Sequence, residues 1–170
     1  DESDGSLLWY RPAGAIITNI DKEHLDYYRN WLEILETYAA FAERINPNGF
    51  LIGCGDDPLV RKILASTKRK QLTYGLSESA QITAKEIQLG PDGARYRCLR
   101  EGKELGQVRL QVHGAHNVLN SLAVIGLAES LGIRFHAAQT ALENFQGAKR
   151  RFQIRGEIRG VLVGEDYVHH

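Results

Sequence analysis

The stretch Phe50-Leu51-Ile52-Gly53-Cys54-Gly55-Asp56-Asp57-Pro58-Leu59-Val60-Arg61-Lys62-Ile63-Leu64-Ala65 decides the fold class. Phe50 to Gly53 is a short, unbroken apolar run, which suits a strand buried on both faces. Asp57 followed by Pro58 is a good N-cap and N1 pair, so a helix is expected from there to about residue 65. Gln71-Leu72-Thr73-Tyr74 reads as the next strand. Upstream the same alternation holds. Ala15-Ile16-Ile17-Thr18-Asn19-Ile20 is a β-branched run. Leu32, Leu35, Tyr38, Ala39 and Ala42 then recur at helical steps over 31–45, and Pro47-Asn48-Gly49 stops that helix. Strand, helix, strand, helix, strand predicts an α/β fold with parallel strands.

After Gly75 the pattern changes. Residues 82–89, 94–99 and 106–112 read as antiparallel strands, joined by Gly90-Pro91-Asp92-Gly93 and Arg100-Glu101-Gly102-Lys103. Two helices are expected near 116–131 and 137–146, the first heavily apolar and therefore well buried. The last part, 151–157 and 160–164, reads as two strands about a glycine-containing turn. The expected architecture is a parallel sheet with flanking helices plus a small antiparallel sheet. A domain boundary is expected near 149–156, dividing the chain into 1–150 and 151–170.

Lysine plus arginine equals aspartate plus glutamate, 21 each, in a chain of 170 residues. This balance gives no electrostatic reason to expect nucleic acid or an anionic membrane as partner. No apolar run approaches the ~20 residues that span a bilayer. With no secretory leader at its start, the chain reads as cytoplasmic, and Cys54 and Cys98 as two buried, unpaired thiols. Methionine is absent and both ends fall inside polar clusters, so the chain reads as a piece of a longer protein.

Five clusters could carry chemistry. Asp1-Glu2-Ser3-Asp4 offers hard oxygen ligands suited to magnesium beside phosphates, although a polar terminus is usually just solvated. The segment 18–26, Thr-Asn-Ile-Asp-Lys-Glu-His-Leu-Asp, follows the carboxyl end of a parallel strand, where open α/β sheets bind ligands. Its His24 could hold a metal or a proton; alternatively, the acids simply favour a helix N-terminus. In Gly114-Ala115-His116-Asn117-Val118-Leu119-Asn120 the two asparagines share a helical face, and paired amides can read a purine edge. The competing reading is helix capping. Gly147-Ala148-Lys149-Arg150-Arg151-Phe152 suits an anion or is a solvated basic loop. Glu165-Asp166-Tyr167-Val168-His169-His170 places acid, phenol and imidazoles after a short strand.

In order and spacing these five clusters resemble the Mur ligase family, and within it the alanine-adding branch. Residues 18–28 resemble Thr-Asn-Ile-x-x-Asp-His-Leu-Asp-Tyr-Tyr, and 114–120 match Gly-x-His-Asn-x-x-Asn. Residues 145–152 resemble Phe-x-Gly-x-x-Arg-Arg-Phe, and 165–170 resemble Asp-Asp-Tyr-x-His-His. The resemblance implies an enzyme, an ATP-dependent ligase of peptidoglycan precursor synthesis that uses ATP and Mg2+ to join L-alanine to UDP-N-acetylmuramate. It implies magnesium ligation by Glu2, which Asp1 and Asp4 could share, and by His24. Asn117 and Asn120 would lie by the adenine with His116 close to them, Arg151 by the phosphates and Asp166 by the ribose. Tyr167 and His169 would help place the amino acid. His24 and Arg151 are the catalytic candidates. Residues 1–150 would be the central ATP-binding domain, shortened at its start, and 151–170 the first strands of the C-terminal domain.

Departures from the family pattern are Glu23 and Glu165 in place of aspartate, and Val168 in place of a smaller residue. No Gly-x-x-Gly-Lys-[Ser/Thr] occurs, so the loop that cradles phosphates is missing. The isolated chain is accordingly expected to be inactive and marginally stable. Two alternatives are a tripeptide-adding murein peptide ligase of the same family and a non-catalytic nucleotide-binding module.

Overall fold

A computed structural model of the chain describes residues 4–21, 27–148, 153–159 and 161–165. Six strands form one sheet in the order β1 (Gly14–Ile17), β2 (Phe50–Cys54), β3 (Lys70–Gly75), β4 (Ile82–Gly90), β5 (Gly93–Arg100) and β6 (Lys103–Leu110). The first four are parallel neighbours, and β4–β5 and β5–β6 are antiparallel. The three antiparallel strands therefore share a sheet with the parallel ones. The join is short: Tyr74 pairs with Ile82 and Gly75 with Thr83, so β4 takes over where β3 ends.

Helices cover both faces. α1 (Trp31–Arg44) and α2 (Pro58–Ser66) pack Ile34, Ala42, Val60, Ile63 and Leu64 against Ile17 and Leu51. On the other face α3 (Ala115–Ser130) and α4 (Phe135–Glu143) close over Ile52, Leu72, Tyr74, Ile82, Tyr96 and Val108. Each fully buried Leu, Ile or Val contributes about 1.5–3 kcal/mol by leaving water. α3 lies low on the sheet because of Gly126: a Cβ there would come within 2.9 Å of Leu72.

Side chains cap both helices of this face, and only the Asp57-Pro58 cap was expected. Asn30 caps α1 through the amides of Leu32 and Glu33 at 2.9 and 3.1 Å. Asp57 caps α2 through Leu59 and Val60 at 2.7 and 2.9 Å, with Pro58 in the first turn. The Glu101-Gly102 turn has positive φ at both residues, 49° and 79°, which fits the right-handed twist of a two-residue hairpin.

Some boundaries differ from those expected. β6 begins at Lys103, three residues before the expected start, because the tight turn returns the chain to the ladder at once. α4 runs from Phe135 to Glu143; Phe135 enters the helix because its ring packs against Gly106 of β6. A short 3-10 turn, Ser6–Trp9, has no counterpart among the expected elements. β7 (Gln153–Ile158) and β8 (Val161–Glu165) form a separate antiparallel pair. Cys54 and Cys98 are both free and buried. Among the described residues, no helix is long and apolar enough to cross a membrane.

Candidate functional site

The carboxyl ends of β1 and β2 carry the first group of polar side chains. Past β1 the Thr18 hydroxyl donates to Asn19 Oδ1 at 2.9 Å, and the Asn19 amide donates to Asp21 Oδ2 at 3.0 Å. The Ile20 amide donates to Asp57 Oδ2 at 3.3 Å, while the other oxygen of Asp57 caps α2. One carboxylate thus fastens Ile20, just past β1, onto the start of α2. Asp56 makes the matching connection on the far side, accepting from the amides of Leu76 and Ser77 at 2.6 and 3.0 Å. Both acids act as backbone staples. Neither carries a sequence signal for this: Asp57 reads only as a helix cap, and Asp56 has no reading of its own.

The second group lies between β6 and α3. Gly114 caps α3 with φ +92°, and a Cβ there would come within 2.7 Å of the His116 ring, which folds back over it. His116 and Asn120 are exposed and Asn117 is half-buried. Asn117 Nδ2 donates to the His113 carbonyl at 2.7 Å, and Asn120 Nδ2 lies 3.5 Å from Asn117 Oδ1. Because a carbonyl only accepts, the amide nitrogen of Asn117 must face inward, leaving its second N–H, and the lone pair of Oδ1 that Asn120 Nδ2 does not take, for other partners. Gly114 occupies the cap position without a side-chain bond, so Asn117 is not a cap, and it stands beside Asn120 on one face.

His113, which carries no motif signal in the sequence, completes this corner: its Nε2 lies 2.6 Å from the Pro91 carbonyl in the β4–β5 turn. Nearby, Gln111 Nε2 donates to the Glu143 carbonyl at the end of α4, at 2.6 Å. Beside the same turn is an open depression of about 440 Å3, lined in part by Arg95, Arg109 and Glu143; it contains none of the candidate residues.

Glu2, His24, Arg151, Asp166, Tyr167 and His169 lie outside the described residues. Among the described residues, no group of three or more His, Cys, Asp or Glu side chains is arranged to hold a metal ion. Asp4, the described acid of the first cluster, is exposed; its Oδ1 accepts from the Ser6 amide at 2.9 Å, and that bond holds its carboxyl below the usual range.

Fold and site together define an α/β domain with polar loops at the carboxyl edge of its parallel strands and an amide pair at the head of a buried helix. The family model for the Mur ligase middle domain matches residues 2–128. The chain belongs to this family. A curated relative, the UDP-N-acetylmuramate–L-alanine ligase of Solibacter usitatus (strain Ellin6076), is 40% identical over all 170 residues. The chain spans 36% of that relative's length. The crystal structure of UDP-N-acetylmuramate-alanine ligase from Thermotoga maritima superposes with a TM-score of 0.85 at 28% identity, covering 100% of this chain and 38% of that one. The crystal structure of UDP-N-acetylmuramate:L-alanyl-gamma-D-glutamyl-meso-diaminopimelate ligase from Neisseria meningitides reaches 0.73 at 25% identity, covering 85% and 43%.

Proposed function

We propose that this chain is the ATP-handling part of a ligase that joins L-alanine to the lactyl carboxylate of UDP-N-acetylmuramate while ATP is cleaved to ADP and phosphate. The observation that carries the nucleotide half is the Asn117 amide. One N–H is committed to the His113 carbonyl and one lone pair of Oδ1 to Asn120 Nδ2, so the second lone pair and the second N–H remain for the edge of an adenine. The substrate half rests on the likeness to alanine-adding relatives over the whole chain.

In this reading residues 1–150 belong to the ATP-binding domain and 151–170 begin the next one. A carboxylate oxygen of UDP-N-acetylmuramate attacks the γ-phosphorus and ADP leaves. The amine of alanine then attacks the acyl phosphate carbon, and the tetrahedral intermediate collapses with loss of phosphate. Such a reaction needs alignment and charge neutralisation more than covalent help from the protein. Asn117 and Asn120 hold the adenine with His116 beside them, Asp166 holds the ribose, and Arg151 reaches the phosphates. Tyr167 and His169 orient the amino acid. Glu2 and His24 are the residues that would hold magnesium, which supplies positive charge against the phosphate oxygens. Asp57 holds Ile20, just past β1, to the start of α2.

The 170 residues carry no Gly-x-x-Gly-Lys-[Ser/Thr], so the chain by itself is expected to release no phosphate from ATP. The test is phosphate release by the full-length polypeptide that carries these residues, supplied with ATP, magnesium, UDP-N-acetylmuramate and one amine at a time. Release that requires free L-alanine supports the proposal. Release that requires a tripeptide and ignores alanine would instead indicate the recycling ligase. Binding of adenine nucleotide with no turnover of either amine would indicate a non-catalytic module.

A further inference from the structure

We propose that His113 is a positioning residue for the nucleotide, one that sets the preference for adenine over guanine without touching the ligand. The inference rests on the adenine reading of Asn117 and adds a cause for its specificity. His113 belongs to neither β6 nor α3, yet it is bonded at both ends. Its ring Nε2 lies 2.6 Å from the Pro91 carbonyl, and its own carbonyl accepts Asn117 Nδ2 at 2.7 Å. The Pro91 oxygen can only accept, so Nε2 carries the proton of that bond. A single residue therefore ties the β4–β5 turn to the third position of α3.

The next residue gives this tie its importance. Gly114 has φ +92°, a region that side chains other than glycine's rarely enter, so no Cβ restrains the peptide unit between residues 113 and 114. The ring of His113 anchors one side of that unit to the Pro91 carbonyl, and the backbone amide of Asn117 bonds to the Gly114 carbonyl on the other, so the carbonyl is held towards α3. If the carbonyl turns away, the Asn117 amide loses the shorter of its two orienting bonds, keeping only the 3.5 Å one from Asn120 Nδ2, and rotation by half a turn exchanges its outward acceptor for a donor. An acceptor suits the exocyclic amino group of adenine; a donor suits the oxygen that guanine has in its place. The Pro91–His113 bond thus selects the base through the amide it orients.

Two substitutions separate this role from a merely structural one. The Gln Nε2 can occupy the place of the imidazole Nε2, whereas the Asn Nδ2 stops one atom short of it. The experiment titrates ADP, and separately GDP, into the full-length polypeptide that carries these residues and into its H113Q and H113N variants, with thermal midpoints measured alongside. The expected result is that H113Q binds as wild type. H113N should bind ADP about tenfold more weakly, with a reduced preference for ADP over GDP, as loss of one orienting hydrogen bond implies. Wild-type affinity and preference in both variants would overturn the proposal. So would an equal loss in both with the preference unchanged, which would mark a structural residue. A wild-type chain that does not bind ADP would overturn the adenine reading itself, an outcome distinct from either of these.

Discussion

The Ile20 amide donates to Oδ2 of Asp57, 37 residues further along the chain, at 3.3 Å, while Oδ1 of the same carboxylate accepts the first free amides of α2. The loop after β1 and the start of α2 therefore depend on one side chain. Replacing it with alanine exposes two consequences at once: a lost cap and an unsatisfied amide. D57A should lower the unfolding free energy by about 2 kcal/mol, roughly half from each source. D57N keeps one oxygen and should fall between D57A and wild type in urea denaturation. Equal stability of D57A and wild type would refute the double role.

Gly75 closes the passage from β3 to β4. A Cβ at this position would come within 2.6 Å of Asp56 Oδ1, and Asp56 is held there by the amides of Leu76 and Ser77. G75A must therefore displace the staple or strain the strand end, at a cost of about 1–3 kcal/mol. Urea denaturation of G75A alone and combined with D56A gives the check: the cost should shrink once the carboxylate is gone.

Tyr96 and Ser121 meet in the core under α3 at 2.6 Å. The Ser121 hydroxyl already donates to the Val118 carbonyl at 2.6 Å, so Tyr96 is the donor of the pair. Y96F removes one buried hydrogen bond but leaves the ring packing, and should cost about 1 kcal/mol with no change in the denaturant slope.

Three buried groups predict an alkaline limit to stability. Burial pushes the Cys98 thiol up to about 12, and desolvation likewise raises Tyr74 and Tyr96 well above their usual value of 10.0. In each case the folded value is raised, so the unfolded chain releases its proton first. Their contribution is fully present below the unfolded values and is lost as the pH climbs towards the folded ones. Thermal midpoints should therefore decline from about pH 9 upward, and the decline should be shallower in C98A than in wild type. Native Cys98 should also resist alkylation at about pH 8.

The local grammar of the fold was legible in the residues. Asp57-Pro58 announces a cap, Pro47-Asn48-Gly49 a stop and Glu101-Gly102 a hairpin, because each depends on backbone preferences of a few neighbours. The parallel pairing of Tyr74 with Ile82 was not legible; it makes one sheet of two groups of strands and depends on long-range packing. At the site, the spacing of Asn117 and Asn120 put them on one face, and the structure agrees. Which way the Asn117 amide points required the His113 carbonyl, and a histidine beside a glycine gives no signal of that role. Asp56 escaped notice for the same reason: its partners, Leu76 and Ser77, lie 20 and 21 residues away.

An ADP titration of the 15N-labelled full-length polypeptide that carries these residues, following the side-chain amides of Asn117 and Asn120 with N117A as the comparison, puts the adenine site itself to the test. Both amide pairs should shift on saturation, and N117A should bind at least about tenfold more weakly, the loss expected for a hydrogen-bonded base edge. Binding of ADP that leaves both amides unmoved, or with unchanged affinity in N117A, would contradict the proposed site.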